Sequence, residues 1–135
     1  MKVVVDTNVI VSGLLKDKGS CAEILRLVFG GHLELCVDDR ILREYETVLP
    51  RPRFRILPQD VNSALNLIRF RAVRSVPLPL RVELADSSDL PFLEVAAAAN
   101  AALITGNARH FPRQSREGVT ILSPTEFLDS MRSSV

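Results

Sequence analysis

The sequence predicts a three-layer α/β/α sandwich in which a doubly wound, mainly parallel sheet of about five strands lies between two layers of helices. Three observations predict it. Short apolar runs rich in β-branched residues, bounded by polar or glycine signals, do not alternate, which is the pattern of strands covered on both faces. Amphipathic segments of helical period lie between them, with legible starts and stops. The two kinds of segment alternate along the chain, and right-handed crossovers then set helices on both faces of one parallel sheet.

Val3 to Val5 forms the first such run. Ser20 and Glu23 have capping-box spacing and open a helix through Ile24, Leu25, Leu27 and Val28, which stops at Gly30-Gly31. Leu33 to Val37 is the second strand. Asp38 or Asp39 then starts a helix whose apolar face is Ile41, Leu42, Tyr45, Val48 and Leu49, and Pro50 ends it. Arg51 to Leu57 is the least regular stretch, expected to be a mobile basic loop at the border of the site. Pro58 suits the first turn of a helix carrying Val61, Ala64, Leu65 and Ile68. Arg74 to Val76 is a further candidate strand, and Phe92, Leu93, Ala96 and Ala97 mark the next helix. Ala102 to Thr105 and Val119 to Leu122 are the remaining strands. Ser123-Pro124-Thr125-Glu126 is a second capping box, with proline at the first helical position of a short C-terminal helix.

At 135 residues, with no Pro/Gly/Ser-rich stretch long enough to separate two cores, the chain is expected to be one domain, residues 1–135. Hydrophobic residues make up 47% and there is one Tyr and no Trp, so aliphatic side chains are expected to pack the core. No run approaches the roughly 18 apolar residues that cross a bilayer, and Lys2 leads directly into Val3 with no cleavable leader. A soluble, cytoplasmic protein with no membrane partner is expected. Cys21 and Cys36 are too few for a disulfide framework or a four-ligand zinc site, and both read as buried thiols. The net charge of +1 gives no global field that announces a nucleic-acid partner. Arginines nevertheless cluster, at Arg51, Arg53 and Arg55 and at Arg69, Arg71 and Arg74, where they read either as phosphate contacts or as a solvated stripe.

In open α/β sheets ligands sit beyond the carboxyl ends of the strands, so the polar residues there are the candidates for chemistry. Val3-Val4-Val5 runs into Asp6-Thr7-Asn8, and Ala102-Leu103-Ile104 runs into Thr105-Gly106-Asn107. Asp86-Ser-Ser-Asp89 stands ahead of the Phe92 helix, and Glu44 lies on the helix after the second strand. A hard cation such as Mg²⁺ takes oxygen ligands and keeps several waters, so a few carboxylates converging from different elements suffice to hold it. Each carboxylate also has a plainer reading. Asp6 reads as a helix N-cap, Asp86 and Asp89 as complements of a helix dipole with Ser87 or Ser88 as cap, and Glu44 as an i,i+4 partner of Arg40. Glu44 and Glu46 flank the apolar stripe from opposite sides, and periodicity does not choose between them.

Four blocks in order carry a family resemblance: Val-Asp-Thr-Asn at 5–8, Ile-Leu-Arg-Glu-Tyr at 41–45, Asp-Leu-Pro-Phe-Leu-Glu-Val-Ala at 89–96, and Thr-Gly-Asn-Ala-Arg-His-Phe-Pro at 105–112. Through them the chain resembles PIN domains, in particular the small prokaryotic branch described as toxin components of toxin–antitoxin systems, relatives of the VapC-type toxins. The resemblance implies acidic metal ligands at Asp6, Glu44 (not Glu46) and Asp89, with Asp86 as an auxiliary carboxylate and Asn107 where many relatives have Asp. It implies that Asn8, Ser12 and Thr105 hold the ligands or orient substrate; Arg51 and Arg53, from the arginine cluster, are expected to contact substrate phosphate. One or two Mg²⁺ or Mn²⁺ ions would support hydrolysis of RNA to a 5′-phosphate and a 3′-hydroxyl. The implied partners are an RNA substrate, a cognate antitoxin of a type II pair and a second copy in a homodimer. His32 and His110 are expected outside the acidic cluster.

Three alternatives belong to other classes. Haloacid-dehalogenase-type phosphatases want a second Asp where this chain has Asn8, and receiver domains want a Lys after the last strand, where this chain starts a helix with Ser-Pro. The third is a catalytically weak PIN-like module that binds RNA or protein, for which the uncharged Asn107 is the motive.

Overall fold

A computed structural model of the chain describes residues 1–133, so the last two residues of the expected 1–135 domain lie outside the described residues. Among the described residues five strands form one sheet: β1 (Lys2–Val5), β2 (Glu34–Val37), β3 (Val73–Arg74), β4 (Ala102–Ile104) and β5 (Ile121–Leu122). All neighbours pair parallel, in the order β3-β2-β1-β4-β5. The expected α/β/α sandwich is the observed one. Val3, Val4, Val5, Leu35, Cys36, Val37, Leu103 and Ile104 are all essentially inaccessible to solvent, which is why these runs are apolar without alternating.

The helices are α1 (Thr7–Leu15), α2 (Ser20–Phe29), α3 (Asp39–Val48), α4 (Pro58–Arg71), α5 (Leu90–Ala99) and α6 (Pro124–Ser133). The chain steps outward from β1 to β2 to β3 and then returns to β4, so right-handed crossovers put α5 on the opposite face from α1, α2 and α4. α5 lies across β1, β2 and β4, while α2 packs against α1, α4 and α6. The approach of α1 to α2 depends on Gly13, where a Cβ would come within 2.6 Å of the Leu25 side chain.

Several local expectations are corrected. α1 was not expected at all, because Val9, Ile10 and Val11 are β-branched and follow a strand of the same composition. Ser20 is the first residue of α2 and not its cap; Gly19, at φ 107°, holds the N-cap position. Ser20 and Glu23 instead serve α6, Ser20 through Thr125 Oγ1 at 3.0 Å and Glu23 through Arg132 at 3.6 Å. The Ser123 box does form, with Ser123 N donating to Glu126 Oε1 at 2.8 Å and Glu126 N to Ser123 Oγ at 3.1 Å. Pairing in β3 ends at Arg74 rather than Val76, since Pro77 follows and Val76 is left almost wholly exposed. In α5, Ala97 faces solvent while Val95 and Glu94 are buried; the helix is apolar nearly all round, so period could not mark its inner face. Arg51 to Leu57 contains a 3-10 turn at Pro52–Phe54, and the longest irregular stretch is residues 75–86. Tyr45, Phe92, Phe111 and Phe127 are fully buried, so aromatic rings supply the bulkiest core side chains beside the aliphatic ones. No helix among the described residues is long and apolar enough to cross a membrane.

One buried contact fixes α3 against the sheet. Tyr45 is completely buried and its Oη donates to the carbonyl oxygen of Val5 at 2.5 Å, at the point where β1 ends. Tyr45→Phe leaves that carbonyl unsatisfied in the core and is expected to cost about 1–3 kcal/mol. Chemical denaturation checks this, and a loss below about 0.5 kcal/mol would mean that water replaces the phenol.

Candidate metal centre

The strand order reverses between β1 and β4, and a crevice for ligands opens beyond the carboxyl ends of strands at such a switch point. Asp6 follows β1 directly and occupies the N-cap position of α1, but its carboxylate does not cap the helix. Instead its Oδ2 accepts from Thr105 Oγ1 at 2.7 Å, and Asn8 Nδ2 lies 3.4 Å away. Thr105 follows β4, and the Asp6 backbone N–H donates to Ile104 O at 2.9 Å. Pairing of β1 with β4 therefore sets both the acid and the hydroxyl that orients it, and both residues are buried.

Glu44 reaches the same crevice from α3. The anchor of Tyr45 on Val5 turns Glu44 toward the start of α1, where Thr7 Oγ1 donates to Glu44 Oε2. Glu46, on the other flank, is exposed and pairs with Arg69 at 2.9 Å. Arg40 does not pair with Glu44 as the plainer reading had it; it binds Asp38 and Glu94, each at 2.7 Å.

Asp86 and Asp89 bracket a 3-10 turn, Ser87–Asp89. Asp86 is exposed and caps that turn, its Oδ1 accepting from Ser88 N at 2.9 Å and Ser88 Oγ at 2.7 Å, which holds its carboxyl below the usual range. Asp89 is buried at the start of α5, and its Oδ2 makes no hydrogen bond. His110 corrects an expectation here. Its Nδ1 lies 3.1 Å from that oxygen, close enough for an ion pair when the imidazole is protonated, although the contact is not aligned as a hydrogen bond. His110 lies in the 105–112 block, in a short 3-10 turn, Ala108–His110, and nothing local in the sequence tied it to Asp89.

Burial raises Asp6, Glu44 and Asp89 together. Desolvation is the largest cause for each; the hydroxyls of Thr105 and Thr7 oppose it at Asp6 and Glu44, and repulsion from Asp6 adds to it at Glu44 and Asp89. Asp89 is pushed up to about 6. Repulsion from Asp86 reaches all three, so the four carboxylates share one field. An all-oxygen donor set, crowded negative charge and one buried oxygen without a donor fit a hard divalent cation. Among the described residues no group of three or more Asp, Glu, His or Cys side chains is placed to hold a metal ion directly, so any ion bound here would be held partly through water.

The raised Asp89 has a pH consequence. Its folded pKa of about 6 lies above the ordinary 3.8, so the folded protein holds that proton more tightly than the unfolded chain does. The contribution of this group therefore favours folding at pH below about 4 and is lost as pH rises through about 6. Asp89→Asn is expected to raise the melting temperature of the metal-free protein at pH 7.5 by a few degrees and to flatten its dependence between about pH 4 and 6. Any Mn²⁺ affinity of this site is expected to run the other way, weakening as pH falls through about 6. Thermal melts and calorimetric titration check both; identical melts for the two proteins across that range would remove the case for a destabilised carboxylate.

The remaining candidates are scattered around this pocket. Asn107 is exposed, and its side chain lines a separate cleft with Asn8, Ser12 and Cys21 instead of bonding a carboxylate. Cys21 is thus only half-buried, while Cys36 is fully buried as expected. Arg51 is near enough to Glu44 to favour its ionised form. Arg53 stacks its guanidinium over Phe54 at 4.8 Å. In the second arginine cluster Arg69 and Arg74 are ion-paired to Glu46 and Asp39, which favours the solvated-stripe reading there. Among the described residues His32 forms no ion pair with an acid, and its ring lies beside Gly30.

Parallel α/β/α architecture with acids gathered at the switch point defines a class of proteins that carry an acidic pocket on a doubly wound sheet. A family model described as PIN domain matches residues 2–109, and the chain belongs to the PIN domain family. Its fold is similar to that of VapBC2 from Rickettsia felis, solved bound to a DNA fragment from their promoter, at 20% identity over 91% of this chain and 98% of that one, with a TM-score of 0.59. VapBC-1 from nontypeable Haemophilus influenzae is similar at 18% identity over 93% and 99%, with a TM-score of 0.62. A domain of a functionally unknown protein from Methanocaldococcus jannaschii matches at 16% identity over 90% and 89%, with a TM-score of 0.56. No curated protein matches the chain significantly.

Proposed function

We propose that this protein is an endoribonuclease dependent on Mg²⁺ or Mn²⁺, and the toxin of a type II toxin–antitoxin pair. The observation that carries the reading is that Asp6, Glu44 and Asp89, from three separate elements, lie near enough for Asp6 to repel the other two, and burial raises all three. Asp6, Glu44 and Asp89 would hold one or two ions, with Asp86 at the rim. When bound, such an ion neutralises charge on a phosphodiester and makes a water molecule more acidic. Thr105 and Thr7 keep the carboxylates of Asp6 and Glu44 aimed into the crevice through their hydroxyls. Asp86 caps the turn that delivers Asp89, and His110 stands beside Asp89 Oδ2, where a protonated ring would offset charge until a cation arrives. Arg51 borders the pocket near Glu44 and suits a flanking phosphate.

Membership of the PIN domain family supports nuclease chemistry, and the likeness to two VapBC structures supports an antitoxin partner. The same reading takes the chain as one domain, cytoplasmic and homodimeric. Cleavage of structured and single-stranded RNAs with Mg²⁺ or Mn²⁺ tests it, with Asp6→Asn and Asp89→Asn beside the wild type. Equal cleavage by all three would mean a contaminating nuclease. Co-purification with the product of a neighbouring small gene tests the partner.

A second reading, a PIN-like RNA- or protein-binding module with weak catalysis, is favoured by one observation: the Asn107 amide brings no charge and bonds no carboxylate. RNA binding without cleavage in the same assay supports it.

A further inference from the structure

We propose that the cleft beside the carboxylates is a nucleoside subsite, taking the ribose and base of the nucleotide next to the phosphate; the inference rests on the ribonuclease reading above. The cleft measures about 210 Å³ and is lined by Asn8, Val9, Ser12, Cys21, Gly106 and Asn107. None of these side chains is charged, so the cleft offers nothing to balance a phosphate. It offers the Asn107 amide and the Ser12 hydroxyl beside the half-buried Cys21 thiol, and those groups suit a base edge and a 2′-hydroxyl.

Two of its polar groups are free to bind. Neither the Ser12 hydroxyl nor the Asn107 side-chain amide makes a hydrogen bond within the described residues. Asn8, by contrast, is committed: its Oδ1 accepts from Gly106 N at 3.1 Å, while its Nδ2 lies 3.4 Å from Asp6 Oδ2. This one side chain is the partition between the cleft and the acidic pocket. A ligand in the cleft therefore sits one short side chain away from Asp6, as a sugar sits beside its own phosphate. Gly106 keeps the partition thin, since a Cβ there would stand 3.3 Å from Asn8 Oδ1. On this proposal Asn107 contacts substrate from the cleft, whether or not it also approaches an ion.

Cys21 supplies a readout independent of cleavage. Cys36 is fully buried, so Cys21 is the thiol that a small alkylating reagent reaches first. The full chain is treated with iodoacetamide in the presence of Ca²⁺ and a single-stranded ribo-oligonucleotide whose binding is followed by fluorescence anisotropy. Bound oligonucleotide is expected to slow Cys21 alkylation severalfold, and inorganic phosphate is expected to leave it unchanged. Ser12→Ala and Asn107→Ala are each expected to weaken oligonucleotide binding about five- to tenfold, the loss of one hydrogen bond. Binding without protection of Cys21, equal protection by phosphate, or wild-type binding by both variants overturns the subsite and leaves the nuclease reading standing. No binding of the oligonucleotide at all overturns both.

Discussion

On the proposed ribonuclease reading, replacing Asp6 with asparagine is expected to lower RNA cleavage in Mg²⁺ by roughly a thousandfold while leaving the fold intact. The asparagine side-chain oxygen can still accept from Thr105 Oγ1, so the local hydrogen bonding survives and only the charge is lost. That charge is costly in the folded protein, because Asp6 is buried and its carboxyl is raised by desolvation. The variant should therefore melt no lower than the wild type in the absence of metal, and a folding defect cannot then explain the lost rate. Thr105→Val separates ligand from orienting group: it keeps the carboxylate but removes its donor, for which a loss of roughly 10–100-fold is expected. Single-turnover cleavage by Asp6→Asn within tenfold of wild type would remove Asp6 from the metal centre.

Arg40→Ala is expected to produce the largest loss of stability among charge substitutions, about 2–3 kcal/mol. Glu94 is buried on α5, and its two oxygens serve different elements: Oε1 accepts from Arg40 Nη1 and Oε2 from Leu80 N, each at 2.7 Å. Removing Arg40 strands a buried carboxylate, which in a dry site costs about 3–5 kcal/mol. Arg40 is itself 44% exposed, so water entering the gap offsets part of that cost. A double-mutant cycle with Glu94→Gln measures the coupling, and a coupling near zero would show that the pair is only a surface contact. The same substitution should weaken Mn²⁺ binding, since Leu80 pins the irregular segment that leads to Asp86 and Asp89.

The fold was legible because its central strands, β1, β2 and β4, are doubly covered, and a doubly covered strand announces itself by composition alone. Val3 to Val5 running into Asp6 showed both a central strand and the acid at its end. Where local pattern and tertiary choice part, the sequence said less. Glu44 and Glu46 flank one stripe, and what separates them is the Tyr45 bond to Val5 and the Arg69 partner of Glu46, neither of which has a local signature. His110 approaches Asp89 only because a 3-10 turn folds back over the start of α5. α1 was hidden by β-branched residues that prefer strands in isolation but pack a helix well once α2 lies against it. The motif that contains Asn107 carried no sign of the cleft it lines with Asn8, Ser12 and Cys21, because those residues come together only in the fold.

The bond from Thr105 to Asp6 joins residues 99 positions apart. On the ribosome, β1 emerges early and waits without its right-hand neighbour until β4 has been made. A nascent chain that ends short of Thr105 holds Asp6 but cannot form its crevice, so the pocket is completed only late in synthesis. If the pocket cuts RNA, translation of this protein delays its own hazard, leaving time for anything that restrains it to be present first.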